Sequence, residues 1–233
     1  MKFSIVIIGL NEERYIGTIL KCLTEQTYKD FEVIVVDGQS EDKTIEVVDE
    51  FKDKLDLKAI ISDKRGHGYQ RNLGAKNAKY ENIIFFDADN YIPSNFIEGL
   101  VSFLKENSVD CLTGLYKALE PSFANSFSMF LQNMGILFFK NISPVATGAF
   151  IFCKKDPFFE VDGFATDIIY AVDSDFVKRI FKKEYKFDVM KNPKVLYSCR
   201  RLEKDGTIKL LCRLLKAQIK LLFGARFDDV KKI

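Results

Sequence analysis

Two carboxylates one residue apart close an apolar run, Ile83-Ile84-Phe85-Phe86-Asp87-Ala88-Asp89-Asn90. The run reads as a buried strand, and the acids stand where it leaves the sheet. In open α/β sheets, ligands bind outside the carboxyl ends of the strands. Carboxylate oxygens there can hold a divalent cation, and the cation can grip a diphosphate. The chemistry suggested is work on a nucleotide-bound group. Other acids recur in like positions: Asn11-Glu12-Glu13 after the first apolar run, Asp37 after the second, and Asp173-Ser174-Asp175 at the start of a later helix. One acid at a helix start is commonly only a cap. Several at successive strand ends converge on one edge of a parallel sheet.

The elements that must place these acids alternate. Residues 3–8, 31–36, 57–61 and 82–86 are short apolar runs and read as strands. Between them 12–26, 40–51 and 68–79 read as helices, the first with Ile16, Ile19, Leu20 and Leu23 at helical spacing. This alternation predicts βαβ units and a Rossmann-like, mainly parallel sheet flanked by helices. The second half is less regular. It predicts helices over 94–106, 123–139 and 173–182, strands over 110–116, 148–153 and 195–199, and a last helix over 207–223. No repeat or linker divides the chain. One domain over 1–233 is expected, with 1–90 as a nucleotide-binding half, 91–205 as an acceptor-binding half and 206–233 as a basic amphipathic C-terminal helix.

A chain of 233 residues has room for one full core. Contents of 47% hydrophobic and 29% charged residues are those of a soluble globular protein. A net charge of +2 gives no basis for nucleic-acid binding. Five cysteines without a Cys-x-x-Cys pair read as free thiols in a reducing cytosol. The first residues run straight into strand pattern with no signal-peptide signature, and no apolar run reaches the ~18 residues of a spanning helix. A cytoplasmic location is expected. The 22 phenylalanines either fill the core or cover a lipid or glycan surface. Lys209, Arg213, Lys216 and Lys220 fall on one face of the last helix. That face either lies on an anionic membrane, at its cytoplasmic side, or is simply solvated.

Ser4-Ile5-Val6-Ile7, Asn11-Glu12-Glu13, Val35-Val36-Asp37-Gly38-x-Ser40-x-Asp42-x-Thr44, Arg71-Asn72-x-Gly74 and Asp87-x-Asp89 follow one another over residues 3–90. In order and spacing they resemble the family-two inverting glycosyltransferases. The likeness continues more weakly through Thr147-Gly148-Ala149, Val161-Asp162-Gly163-Phe164 and Asp173-x-Asp175-Phe176. The resemblance implies a GT-A fold, a nucleotide-diphosphate-sugar donor, and Mn²⁺ or Mg²⁺. It lays the segment from Gly9 to Glu12 along the nucleotide, with Asn11 and Glu12 near the base or ribose. It gives Asp87 a contact with ribose or donor sugar and Asp89 the metal. Relatives often add a histidine near the last strand. Here that stretch reads Tyr197-Ser198-Cys199-Arg200-Arg201, so water completes the shell or the two arginines share the neutralisation.

Asp37, beside Gly38 and Ser40, can accept the imide N–H of uracil or the N1–H of guanine, which favours UDP or GDP; the other reading is a helix cap. Arg71, near a helix N-terminus, can meet a phosphate or the base. His67, the single histidine, reads as a loop residue. Where the family usually shows Glu-Asp-x-Asp/Glu, this chain has Val172-Asp173-Ser174-Asp175. Asp173 matches the general base for an attacking hydroxyl, Asp175 is second, and a helix cap is the alternative. The expected acceptor is a hydroxyl on a glycan or lipid-linked glycan. Rival readings are a polyprenyl-phosphate acceptor and a non-catalytic sugar-nucleotide binder. A dinucleotide oxidoreductase is disfavoured because Arg71 occupies the third glycine position of Gly66-x-Gly68-x-x-Arg71. A nucleotidyltransferase is disfavoured because the first loop carries acids that repel phosphate.

Overall fold

The computed structural model describes residues 1–168 and 171–198. The expected helix over 206–233 with its four cations lies outside them, as do Cys199, Arg200 and Arg201. Elements run β1 (Phe3–Gly9), α1 (Ile16–Thr24), β2 (Phe31–Asp37), α2 (Thr44–Asp49), β3 (Leu57–Ile61), α3 (His67–Asn77), β4 (Asn82–Asp87), α4 (Phe96–Glu106), β5 (Cys111–Ala118), α5 (Phe123–Phe139), β6 (Ile151–Lys154), α6 (Lys155–Glu160), α7 (Val172–Lys182) and β7 (Phe187–Tyr197).

One seven-stranded sheet carries them in the order β3-β2-β1-β4-β6-β5-β7. Only β6 runs against its neighbours; β1, β2, β3 and β4 are mutually parallel, and so are β5 and β7. The expected mainly parallel α/β sheet is borne out. Successive strand residues point to opposite faces. Ile5, Ile7, Val33, Val35, Ile84 and Phe86 therefore pack with α1, α4 and α5 on one side. Val6, Ile8, Ile34, Val36, Ile83 and Phe85 pack with α3, α6 and α7 on the other. Both faces are covered, which is why these strands read as unbroken apolar runs.

Strands β2 and β3 lie to one side of β1 and β4 to the other. The junction of β1 and β4 is thus a switch point, where a crevice opens at the carboxyl edge. Register puts Gly9 beside Asp37 and Ile8 beside Asp87 at that edge. Close packing of α3 holds the floor: a Cβ at Gly74 would come within 2.3 Å of Val6 Cγ1.

Several boundaries differ from the sequence reading. Helix α1 starts at Ile16 because Glu12–Tyr15 forms a turn, with Tyr15 N and Ile16 N both donating to the Glu12 carbonyl. Helix α2 is only six residues, as Ser40 to Lys43 serve the loop. Strand β7 begins at Phe187, well before 195; it is an edge strand, where Lys, Asn and Pro193 are tolerated. Helix α6 has no counterpart in the sequence reading. Its Pro157 sits in the first turn, where proline costs little.

Candidate active site

All the expected site residues stand at or just beyond the carboxyl edge, in two groups. The first is a pair of loops, 9–13 and 37–44, that lock together. Gly38 N donates to the Gly9 carbonyl at 2.8 Å. Asn11 N donates to Ser40 Oγ and Glu41 N to Asn11 Oδ1, both at 2.8 Å. Glu12 N donates to Thr44 Oγ1 at 2.8 Å, and Glu13 N to Asp42 Oδ2 at 3.1 Å. The two motifs are complementary halves of one joint. Asn11 and Gln39 hold left-handed φ of 56° and 66°, which gives the joint its sharp turns.

Asp37 is 2% exposed. Ser40 donates to both of its oxygens, from N to Oδ2 at 2.8 Å and from Oγ to Oδ1. It closes a turn rather than capping α2, which starts at Thr44 without a side-chain cap. Asp42 accepts from Thr44 and Glu13. Burial opposes the charge, but the Thr44 hydroxyl and the backbone N–H groups together outweigh it, so its carboxyl lies below the usual range. Gln70, which the sequence reading did not single out, braces the joint from below, with Nε2 donating to the carbonyls of Gly9 and Val36 at 2.9 and 3.0 Å. Its place beside Arg71 is the one signal that pointed to it.

The second group is built on Arg71. Its side chain is 1% exposed, and Nη2 meets Asp87 Oδ1 while Nη1 meets Asp173 Oδ1, each at 2.7 Å. The expected reach of Arg71 toward a phosphate or the base meets a different arrangement, since both terminal nitrogens bind carboxylates below the site surface. Burial works against the Arg71 charge, but Asp173 and Asp87 outweigh it and hold the guanidinium pKa above its usual value. Phe164 lies under the guanidinium, 5.1 Å from ring centre to Cζ. Asn72 fixes that residue by accepting from Phe164 N and donating to Phe164 O, both at 2.8 Å.

Asp173 lies in the first turn of α7 and makes no cap; the cap position is Ala171, in a left-handed conformation and without a side-chain bond. Burial pushes the Asp173 carboxyl above the usual aspartate range, although Arg71 pulls it down. The backbone N–H of Gly148 pulls it down as well. Gly148 roofs the cluster closely: a Cβ there would fall 2.0 Å from Arg71 Nη2 and 2.6 Å from Asp87 Oδ2. Asp175 faces elsewhere. It holds Arg179 at 2.8 Å, and Arg179 donates onward to the carbonyls of Val161 and Gly163. The structure thus separates two acids that the sequence left as alternatives.

Asp87 ends β4 with its side chain 31% exposed, and Asp89, half-buried, lies in the turn just past it. Among the described residues, no group of three His, Cys, Asp or Glu side chains could hold a metal alone. Small divalent ions commonly take one or two carboxylates and complete their shell from phosphate and water. The donor set therefore fits an ion that arrives with a diphosphate. His67 is exposed at the start of α3.

An open α/β sheet with acids gathered at its switch point defines a class of protein that binds its ligand in that crevice. The chain belongs to glycosyl transferase family 2, whose sequence model matches residues 4–159. It is 35% identical over 116 residues to the poly(ribitol-phosphate) beta-N-acetylglucosaminyltransferase TarS of Staphylococcus aureus, covering 48% of this chain and 20% of TarS. It is 28% identical over 221 residues to a dolichyl N-acetyl-alpha-D-glucosaminyl phosphate 3-beta-D-2,3-diacetamido-2,3-dideoxy-beta-D-glucuronosyltransferase of Methanococcus voltae, covering 84% of this chain and 65% of that one. The crystal structure of TarS 1-349 in complex with UDP-GlcNAc superposes with TM-score 0.68 and 25% identity, over 85% of this chain and 58% of that one. The mannosyltransferase PcManGT from Pyrobaculum calidifontis, in complex with GDP-Man and Mn²⁺, gives 0.71 and 22%, over 84% and 56%. The expected family and GT-A fold are borne out. The chain spans about a fifth of the length of the first curated relatives it matches.

Proposed function

We propose that the chain transfers a sugar, with inversion, from a UDP- or GDP-linked donor to an acceptor hydroxyl on a glycan or lipid-linked glycan. The observation that carries this reading is the Arg71 bridge between Asp87 and Asp173 at the switch point of a family 2 fold. The nucleotides held by TarS and PcManGT support uracil or guanine. The Methanococcus relative, named for a dolichyl phosphate-linked acceptor, supports a lipid-linked one. In this reading the donor lies against the half over 1–90 and the acceptor against the later half of one domain, and the single sheet that crosses residue 90 supports the one domain.

In this reading the 9–13 and 37–44 loops frame the nucleoside, with Gly9, Asn11, Glu12, Gly38 and Ser40 shaping its bed and Asp37 its base edge. Asp87 orients the ribose or donor sugar. Asp89, with Asp87 beside it, would hold Mn²⁺ or Mg²⁺, which neutralises charge developing on the diphosphate. Asp173 accepts the proton of the attacking hydroxyl at its carboxylate oxygen. Arg71 favours the ionised form of Asp173 against the burial that opposes it, and ties Asp173 to Asp87. Val172 stands where relatives usually carry a further acid, which favours as second reading a protein that binds sugar nucleotides without turning them over. Screening UDP- and GDP-sugars for metal-dependent binding and hydrolysis tests both. Binding with release of sugar supports transfer, binding alone supports the second reading, and neither sinks both.

A further inference from the structure

Asn90 stands just past the turn that carries Asp87 and Asp89, outside both groups of site residues, and is 1% exposed. Its Nδ2 donates to the Asp87 carbonyl at 3.1 Å and to the Ala149 carbonyl at 3.0 Å. One amide nitrogen thus ties the acid turn to the loop ahead of β6. Backbone bonds anchor the turn on its other sides: Ala88 N donates to the Ile8 carbonyl at 3.2 Å, and Tyr91 and Leu196 exchange bonds at 3.1 and 2.9 Å. Two carbonyls need the nitrogen between them, and this leaves Asn90 Oδ1 buried without a hydrogen-bond partner. An unpaired buried acceptor is costly, and an apolar side chain would not carry it. What the amide supplies against that cost is its double grip on Asp87 and Ala149.

Each residue of the gripped loop, 146–149, meets a different part of the molecule. Ser174 Oγ of α7 donates to the Ala146 carbonyl at 3.1 Å. Thr147 Oγ1 is buried beside the Tyr116 hydroxyl of β5. Gly148 sits on the ion pair, so close that a Cβ there would collide with Arg71 Nη2 and Asp87 Oδ2. Its backbone N–H also favours the ionised form of Asp173. Ala149 is held by Asn90. A shift of this loop against the acid turn therefore disturbs Asp87, Arg71 and Asp173 together. Close-packed interiors transmit such shifts.

We infer that Asn90 is a positioning residue: through the Asp87 and Ala149 carbonyls it holds the acid turn and Gly148 at the separation at which one guanidinium bridges Asp87 and Asp173. Its effect on turnover rests on the transferase reading. Its effect on the state of the Arg71 guanidinium does not, so either idea can fail alone.

The test compares the wild type with Asn90→Ala, and with Asn90→Ser, which keeps a short donor should the first not fold. Two fixed carboxylates stop the guanidinium from rotating. The Arg71 Nη–H signals should therefore be resolved in nuclear magnetic resonance spectra of the wild type, and should shift or merge in the variant. In turnover, kcat should fall about tenfold or more, the effect of a small misplacement of reacting groups. Affinity for UDP or GDP, measured without metal, should stay within about twofold. Ser4 is the control. It is buried at the opposite, amino edge of the sheet, donates to Glu32 at 2.6 Å and accepts from Tyr80 N at 3.0 Å. Ser4→Ala should lower the melting temperature and leave the Arg71 signals and kcat in place. Arg71 signals that are averaged in the wild type, or identical in the wild type and Asn90→Ala, would overturn the inference. So would an Asn90→Ala protein that melts earlier with kcat per folded molecule unchanged, or equal effects in Ser4→Ala. A wild type with a fixed Arg71 and no turnover would sink the transferase reading alone, and the spectra would still decide the role of Asn90.

Discussion

The two groups at the carboxyl edge use their acids in opposite ways. On the β1–β2 side, Asp37 and Asp42 accept from hydroxyls and backbone N–H groups of their own loops. Such bonds favour the ionised form, and Asp42 is held below the usual range. On the β4–α7 side, Asp87 and Asp173 share one buried guanidinium, and burial lifts Asp173 above its usual range. The first arrangement sets a shape. The second stores charge beside a crevice, where a proton can be taken up. Acids that look alike in the sequence are architecture on one side and candidate chemistry on the other.

The largest effect that would break this contrast is on Arg71. Arg71→Met leaves two carboxylates facing each other without their cation. Removing one partner of a buried pair typically costs about 3–5 kcal/mol, and the partial exposure of both acids puts the expected loss near the low end, about 3 kcal/mol. Urea denaturation would measure it, and a loss under about 1 kcal/mol would show that the bridge is incidental. The next effect is on pH. Asp173 must be ionised to act as base, so kcat/KM should fall about tenfold per pH unit as pH drops below its raised pKa, above the ordinary ~3.9. Asp42 has the opposite sign. Its contribution to stability is present above the unfolded value and is lost only as pH falls through its lower folded value. Acidification should therefore silence turnover before it loosens the loops, and parallel pH–rate and pH–stability profiles would show the reverse order if the assignment were wrong. The smallest effect is on the joint itself. Asp42→Ala removes acceptors from the part-buried N–H groups of Glu13 and Thr44 and should cost about 1 kcal/mol, with weaker nucleotide binding by titration and kcat nearly unchanged.

Much of the β1–β4 side was legible because β1, β2 and β4 are buried on both faces and β2 and β4 each end in an acid. What the loop residues do was less legible. Asn11 and Ser40 lie twenty-nine residues apart, and only the parallel register of Gly9 with Asp37 brings them together. The burial of Arg71 was hidden for a like reason. Its partners lie 16 and 102 residues away, and a helix N-terminus suggests exposure. On α5 the apolar pattern predicted a helix correctly, but left open whether its phenylalanines fill the core or cover a surface. Asn133 bonds the β5 backbone while Met129 and Ile136 face the core, which turns Phe123, Phe127, Phe130 and Phe138 out.

The most direct test of the account compares Asp173→Asn with Asp175→Asn, each assayed for nucleotide affinity and turnover on one preparation. The asparagine at 173 keeps a side chain of the same shape but cannot accept the proton. Its kcat should fall by at least about 10²-fold with nucleotide affinity nearly unchanged, while Asp175→Asn, whose partner is Arg179, should turn over at close to the wild-type rate. An Asp173→Asn protein that binds and turns over like the wild type would contradict the account. It would point instead to Asp175 as the base or to an acceptor that is already ionised.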